Sequence, residues 1–102
     1  MNKTKVFISQ PMRDRTNEEI EFERKLIEKR LADKYGEDGY EVIDSFFKDA
    51  PHEAKPLWFL GKPLELLSTA DICVFGRGWN DARDCLIEHE CCVQYNIPIW
   101  EM

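Results

Sequence analysis

Four short apolar runs, each separated from the next by a stretch of helical periodicity, constrain this chain more than any other feature. They are Lys5-Val6-Phe7-Ile8, Tyr40-Glu41-Val42-Ile43, Asp71-Ile72-Cys73-Val74-Phe75 and Ile97-Pro98-Ile99-Trp100. The first and third are nearly continuous in apolar side chains, as strands buried on both faces of a parallel sheet are. Strands alternating with helices predict the order β-α-β-α-β-α-β and an α/β domain, with a mostly parallel sheet of four or five strands and helices on both faces. Proline 98 cannot donate a ladder hydrogen bond, so the last strand belongs at or near an edge. The 102 residues suit one domain running from 1 to 102.

The helical stretches carry their own signals. Thr16-Asn17-Glu18-Glu19 reads as a capping box opening a helix that runs to about Lys34, with Gly36 and Gly39 ending it. Ile20, Ile27 and Leu31 form its core stripe, while Phe22 and Leu26 lie off it, facing either a second subunit or solvent. Residues 48–55 have turn composition. Pro56 fits the first turn of a second helix whose apolar face is Leu57, Leu60, Leu64 and Leu67, and Pro63 predicts a kink or two short helices. The last helix is expected over residues 81–95, capped by Asn80 or Asp81. Its stripe is Ala82, Cys85, Leu86, His89, Cys92 and Val93, which leaves Glu88 on the margin.

Charge and composition narrow the partners. A net charge of −6, with basic residues interspersed among acidic ones, argues against a nucleic-acid partner. No apolar window is long enough for a membrane span, and the N-terminus lacks a signal-peptide pattern, so a cytoplasmic protein is expected. Cys73, Cys85, Cys91 and Cys92 form no C-x-x-C pair and read as small core residues, and nothing in the sequence calls for a metal or a bound cofactor.

In an open parallel sheet, ligands bind beyond the carboxyl ends of the strands where strand order reverses. Residues 9–15, 44–47 and 76–83 follow such ends and should converge there. Gly76 and Gly78 permit close backbone approach, Trp79 offers a stacking surface, and Arg83 with the free N–H groups of the last helix suits an anion. Glu88, two turns into that helix and partly desolvated, is a candidate nucleophile or general acid/base, or else a salt-bridged boundary glutamate. His89 reads as a hydrogen-bonded core histidine. The sequence lacks Gly-x-Gly-x-x-Gly after the first strand, a P-loop and a nucleophile elbow.

Phe7-Ile8-Ser9-Gln10-Pro11-Met12, the Ala70-Asp71 opening the third strand, and the block from Gly78-Trp79-Asn80-Asp81-Ala82-Arg83 through Glu88-His89 resemble a short bacterial and phage branch, a domain of unknown function, of the nucleoside 2-deoxyribosyltransferase-like superfamily. The resemblance runs over almost the whole chain. It implies a Rossmann-like (flavodoxin-like) domain acting on the N-glycosidic bond of a nucleoside or nucleotide. Glu88 matches the helix glutamate that attacks the anomeric carbon. Ser9, Gln10, Pro11 and Met12 match the loop lining the sugar and base pocket. Arg83 and its neighbours match the segment approaching the 5′-phosphate in nucleotide-hydrolysing relatives. Asp44, Gly78, Trp79 and Asn80, on the rim segments that converge beyond the strands, are further candidate ligand contacts. The chain departs from the pattern at Pro63, where an aspartate usually assists the leaving base, and at Ala82 and Asp84, where small or hydroxyl residues cradle phosphate. Asp44, Asp71 or Asp81 are the candidates to stand in for the missing acid.

The function expected is therefore hydrolysis or deoxyribosyl transfer through Glu88. The alternatives are a non-catalytic sensor of a nucleoside or nucleotide metabolite and an interaction module on the same fold. A small-molecule partner and a homo-oligomer are expected, with no nucleic acid and no membrane.

Overall fold

The computed structural model describes residues 3–45, 53 and 55–102, so most of the turn expected at 48–55, and Phe46 and Phe47 of the second rim segment, lie outside the described residues. The elements are β1 (Thr4–Ser9), α1 (Asn17–Tyr35), β2 (Tyr40–Val42), α2 (Trp58–Leu67), β3 (Ile72–Phe75), a 3₁₀ turn (Trp79–Asp81), α3 (Arg83–Gln94) and β4 (Ile99–Glu101). The four strands form one parallel sheet in the order β2-β1-β3-β4. The α/β architecture is the expected one, consistent with a Rossmann-like or flavodoxin-like arrangement, and β4 is an edge strand. Strand order reverses between β1 and β3, which pair from Val6↔Ile72 to Ser9↔Phe75.

Alternation along β1 divides the core in two. Val6 and Ile8 join Val74 and the α1 residues Ile27 and Leu31 on one face. Phe7 joins Cys73, Phe75, Leu67 of α2 and Cys92 of α3 on the other. One helix therefore covers one face and two helices the other. Burying each such side chain contributes about 1.5–3 kcal/mol, and the period-2 register fixes which face each joins.

Local signals explain most of the boundaries. Thr16 accepts from the Glu19 amide while the Glu19 carboxylate accepts from the Thr16 amide, completing the capping box, and Gly36 ends α1 at φ 83°. The second helix departs from expectation. Pro63 sits in the second turn of one helix rather than between two, and Leu57 lies before it, 76% exposed, while Pro63 and Leu67 are the buried positions. The proline ring is buried here, and the helix is short enough to lose one amide donor without breaking.

The third helix also differs. It starts at Arg83 after the 3₁₀ turn, and its N-cap is Ala82, with no side-chain cap from Asn80 or Asp81. Its buried face is Cys85, Glu88 and Cys92, spaced i, i+3, i+7, whereas Leu86 and Val93 are 46% and 52% exposed. Glu88 thus occupies the middle of the buried stripe rather than its margin. Phe22 and Leu26 project from α1 with 65% and 51% exposure. No helix among the described residues is long and apolar enough to cross a membrane.

Candidate functional site

A cavity of about 800 Å³ opens at the carboxyl ends of β1 and β3, where strand order reverses. That volume lies within the range of small-molecule sites. Its floor is set by two consecutive residues leaving β1. Ser9 points to the face carrying α2 and α3, and its Oγ donates to Glu88 Oε1 at 2.6 Å. Gln10 points to the α1 face, where its amide accepts from Arg24 Nη1 at 2.9 Å and donates to Glu23 Oε1 at 2.7 Å.

Glu88 is 6% exposed. Burial pushes its carboxyl up to about 7; the Ser9 hydrogen bond works against that, and the nearby Asp84 carboxylate adds to it. Its Oε2 has no hydrogen-bond partner among the described residues. No buried side-chain polar atom among them lacks a partner either, so Oε2 keeps accessible surface, and Glu88 lines the cavity. The result is a carboxylate gripped at one oxygen and open at the other.

The second polar cluster closes around Arg24. Arg24 Nη2 donates to Ser45 Oγ at 3.2 Å, Ser45 Oγ leans on the Ile8 carbonyl at 3.4 Å, and Arg15 Nη1 meets Glu23 Oε1 at 3.2 Å. Burial lowers the Arg24 guanidinium pKa, offset in part by Asp44 and Glu28. Gly76 lets β3 end against this cluster, since a Cβ there would stand 3.2 Å from Glu23 Oε1 and 3.3 Å from Gln10 Cβ. Asp14, at φ 63°, turns the loop after β1 back toward α1, and the Arg15 amide donates to the Met12 carbonyl across that turn.

Of the expected site residues, Ser9, Gln10, Pro11, Met12, Gly78, Arg83 and Glu88 line the cavity. Gln10 does so with both ends of its amide held by the protein. Asp44, Trp79 and Asn80 are not part of the lining. The Trp79 ring is stacked on His89, with centroids 4.3 Å apart and planes 6° from parallel, so that face is taken. His89 is half-buried rather than central in the core, and its Nε2 lies 3.0 Å from Glu101 Oε2. Among the acids proposed to replace the one missing at position 63, Asp71 is at the opposite end of the sheet, where its Oδ2 accepts from the Lys5 amide at 2.8 Å. Asp81 lines the cavity, as do Asp84 and Pro63 itself. Arg83 is joined to Asp84, Nε to Oδ1 at 3.3 Å, so Asp84 faces the very region where a phosphate was expected.

Two participants were missed in the sequence, Arg24 and Glu23. With Arg15 of the expected 9–15 segment they form the α1 side of the site, and Arg24 sits at the i+4 position of the Ile20–Ile27–Leu31 stripe, a charge interrupting an apolar face. No group of three or more metal-ligating side chains occurs among the described residues. Cys73, Cys85 and Cys92 are buried and unpaired, with burial raising the Cys85 thiol to about 11, which leaves it protonated and unreactive. Comparison with protein-family models, curated proteins and solved structures returned no match to this chain.

Proposed function

We propose that the cavity takes a nucleoside-sized ligand and that the protein cleaves its N-glycosidic bond through Glu88, by hydrolysis or by transfer to an acceptor base. The observation that carries this reading is the Glu88 carboxylate, buried and held at Oε1 by Ser9 with Oε2 open to the cavity. Glycosidic cleavage develops positive charge at the anomeric carbon, and a desolvated carboxylate stabilises or traps it. In the first step Oε2 bonds to that carbon, the C–N bond breaks, and its electron pair leaves with the base, which takes a proton. Water or a second base then attacks the glycosyl ester and frees the carboxylate. Asp81 is the cavity carboxyl available to pass a proton to the departing base, since Asp84 is paired with Arg83.

The test is chromatographic detection of free base after incubating wild type and Glu88→Gln with nucleosides, deoxynucleosides and their 5′-monophosphates. Base release is expected from wild type and loss of at least about 10³-fold from the variant, as removal of a nucleophile typically costs. A Glu88→Gln enzyme of wild-type activity would falsify the assignment. A nucleophile must be ionised, so kcat/KM is expected to rise with pH through about 7; a fall there would assign Glu88 the role of acid instead.

One observation supports a second reading. Pro63 lines the cavity and supplies no acid, which suits a nucleoside- or nucleotide-metabolite sensor that binds without turnover. A thermal shift with one compound of the panel and no base released from it is the outcome that selects this reading.

A further inference from the structure

What α2 brings to the cavity is apolar. Of that helix only Phe59 and Pro63 belong to the lining, one turn apart, and neither is an acid. The Phe59 ring meets Trp58 at 5.2 Å in a T-shaped contact, and with 44% of the residue exposed, aromatic surface is left bare at the cavity. The charges of the lining favour a cation. It holds the guanidinium groups of Arg13, Arg15 and Arg83 and the carboxyls of Asp14, Asp81, Asp84 and Glu88. Arg83 is paired with Asp84, and Arg15 with Glu23. Arg13 is then left to offset Asp14, Asp81 and Glu88. Further back, Arg24 lies in the field of both Asp44 and Glu28, so the deeper charges do not reverse the sign. Net negative charge around a cavity raises the local concentration of a cationic ligand.

The chemistry at Glu88 adds a requirement. Attack needs an ionised carboxylate, whereas a neutral base departs only with a proton. Asp84 is paired, Asp81 is exposed on its turn, and α2 supplies no acid. A base that already carries positive charge at the glycosidic nitrogen leaves without a proton. We propose that the substrate is a pyridinium nucleoside, its cationic ring held against Phe59 and Pro63 in the negative cavity and its anomeric carbon attacked by Glu88. The proposal rests on the glycosidic reading and names its substrate class. Oε2 bonds to the anomeric carbon, the C–N bond breaks, and its electron pair stays on the ring nitrogen, cancelling the charge there. The base departs as a neutral pyridine. Water then attacks the glycosyl ester, the sugar leaves, the carboxylate is restored and one proton passes to solvent. Phe59 holds the ring by stacking and cation–π attraction. With this substrate Asp81 has no proton to deliver and contributes charge alone.

The test is chromatography of the base released from N-ribosylnicotinamide and its 2′-deoxy form, set against adenosine, uridine and their 2′-deoxy forms. Wild type, Phe59→Ala and Glu88→Gln are compared on the full chain, each checked for folding by circular dichroism. At least about 10²-fold higher kcat/KM is expected for a pyridinium nucleoside than for any neutral one, the factor a general acid would otherwise supply. Phe59→Ala is expected to raise KM about tenfold, and Glu88→Gln to abolish release. With no acid taking part, kcat/KM should level off above pH 7 and stay level to about pH 9; a descending limb there overturns the proposal, as does an unchanged KM in Phe59→Ala. Calorimetry at low ionic strength, with 1-methylnicotinamide as the cation and nicotinamide as its neutral counterpart, reads the same preference without turnover. The cation is expected to bind about tenfold more tightly, and equal affinities overturn the proposal. If Phe59→Ala fails to fold, these two probes and the pH profile decide. Neutral nucleosides cleaved as fast as pyridinium ones sink this inference and leave the glycosidic reading standing. No base from any of the nucleosides sinks both.

Discussion

Ser9 and Gln10 follow one another out of β1, and because successive side chains of a strand point to opposite faces, they serve opposite sides of the sheet. Ser9 reaches a buried carboxylate on α3, and Gln10 reaches a buried guanidinium on α1. The two buried charges are treated differently. Arg24 belongs to a chain of hydrogen bonds running from Arg15 through Glu23, Gln10 and Ser45 to the Ile8 carbonyl. Glu88 has one donor and one open oxygen. A closed network fixes side chains in a single arrangement, so the α1 side is scaffold. A half-satisfied carboxylate keeps a reactive atom available, so the α3 side is where bonds can change. The division follows from the two-residue period of one strand.

The strongest way to break this comparison is to remove Arg24. Arg24→Ala takes away two charge-assisted hydrogen bonds and leaves Gln10 Oε1 buried without its donor. A loss of about 3–5 kcal/mol is expected, read from urea unfolding at pH 7. A loss under about 1 kcal/mol shows that the cluster is not a scaffold.

Removing the charge at Glu88 is expected to act in the opposite direction. Its carboxyl titrates at about 7 in the fold against 4.5 for the unfolded chain. Between those values the native state holds the extra proton, so stability falls as pH rises through the window. The penalty is absent below 4.5 and complete above 7. Glu88→Gln keeps an acceptor for Ser9 and removes the penalty. It is expected to stabilise the fold by about 2–3 kcal/mol at pH 8, with the gain gone at pH 4. Unfolding midpoints at the two pH values check this, and a variant less stable than wild type at pH 8 means that Glu88 is a structural carboxylate.

The sequence made the fold legible because its period-2 and period-3.6 patterns, the capping box at Thr16 and the glycine at 36 all pointed the same way. The site was legible in part. The convergence of the loops after β1 and β3 followed from topology alone, and Glu88 could be singled out as a carboxylate near an apolar stripe. Its central position was misplaced because Leu86 and Val93 are larger hydrophobes than Cys85 and Cys92, so hydrophobicity drew the stripe about a quarter-turn off. Cys92 packs against Phe75 and Cys73, and Cys85 is buried beside the cavity. Arg24 was overlooked for a related reason. An apolar face interrupted by a charge reads as a gap in the pattern, although in both helices the interruption marks the site. That one face of the Trp79 ring is covered could not be read from the sequence, because its partner, His89, lies ten residues away and meets it only once α3 turns back over β3.

The smallest expected effect sharpens the comparison most, because it uses the same substitution on each side. Ser9→Ala and Ser45→Ala each remove one hydroxyl from a buried charge. Arg24 stays ionised at every accessible pH, so the cost of Ser45→Ala is expected to be about 1 kcal/mol and flat from pH 4 to pH 8. The bond from Ser9 lowers the Glu88 pKa, so its removal raises that value above 7 and weighs on the ionised form alone. Ser9→Ala is therefore expected to cost about 1 kcal/mol more at pH 8 than at pH 4. Carbon NMR titration of the Glu88 carboxyl should move upward in the same variant and stay put in Ser45→Ala. Two variants with the same pH slope, or a Glu88 titration indifferent to Ser9, would mean that the open carboxylate and the closed guanidinium differ in sign of charge only, and that neither side of the sheet is set apart for chemistry.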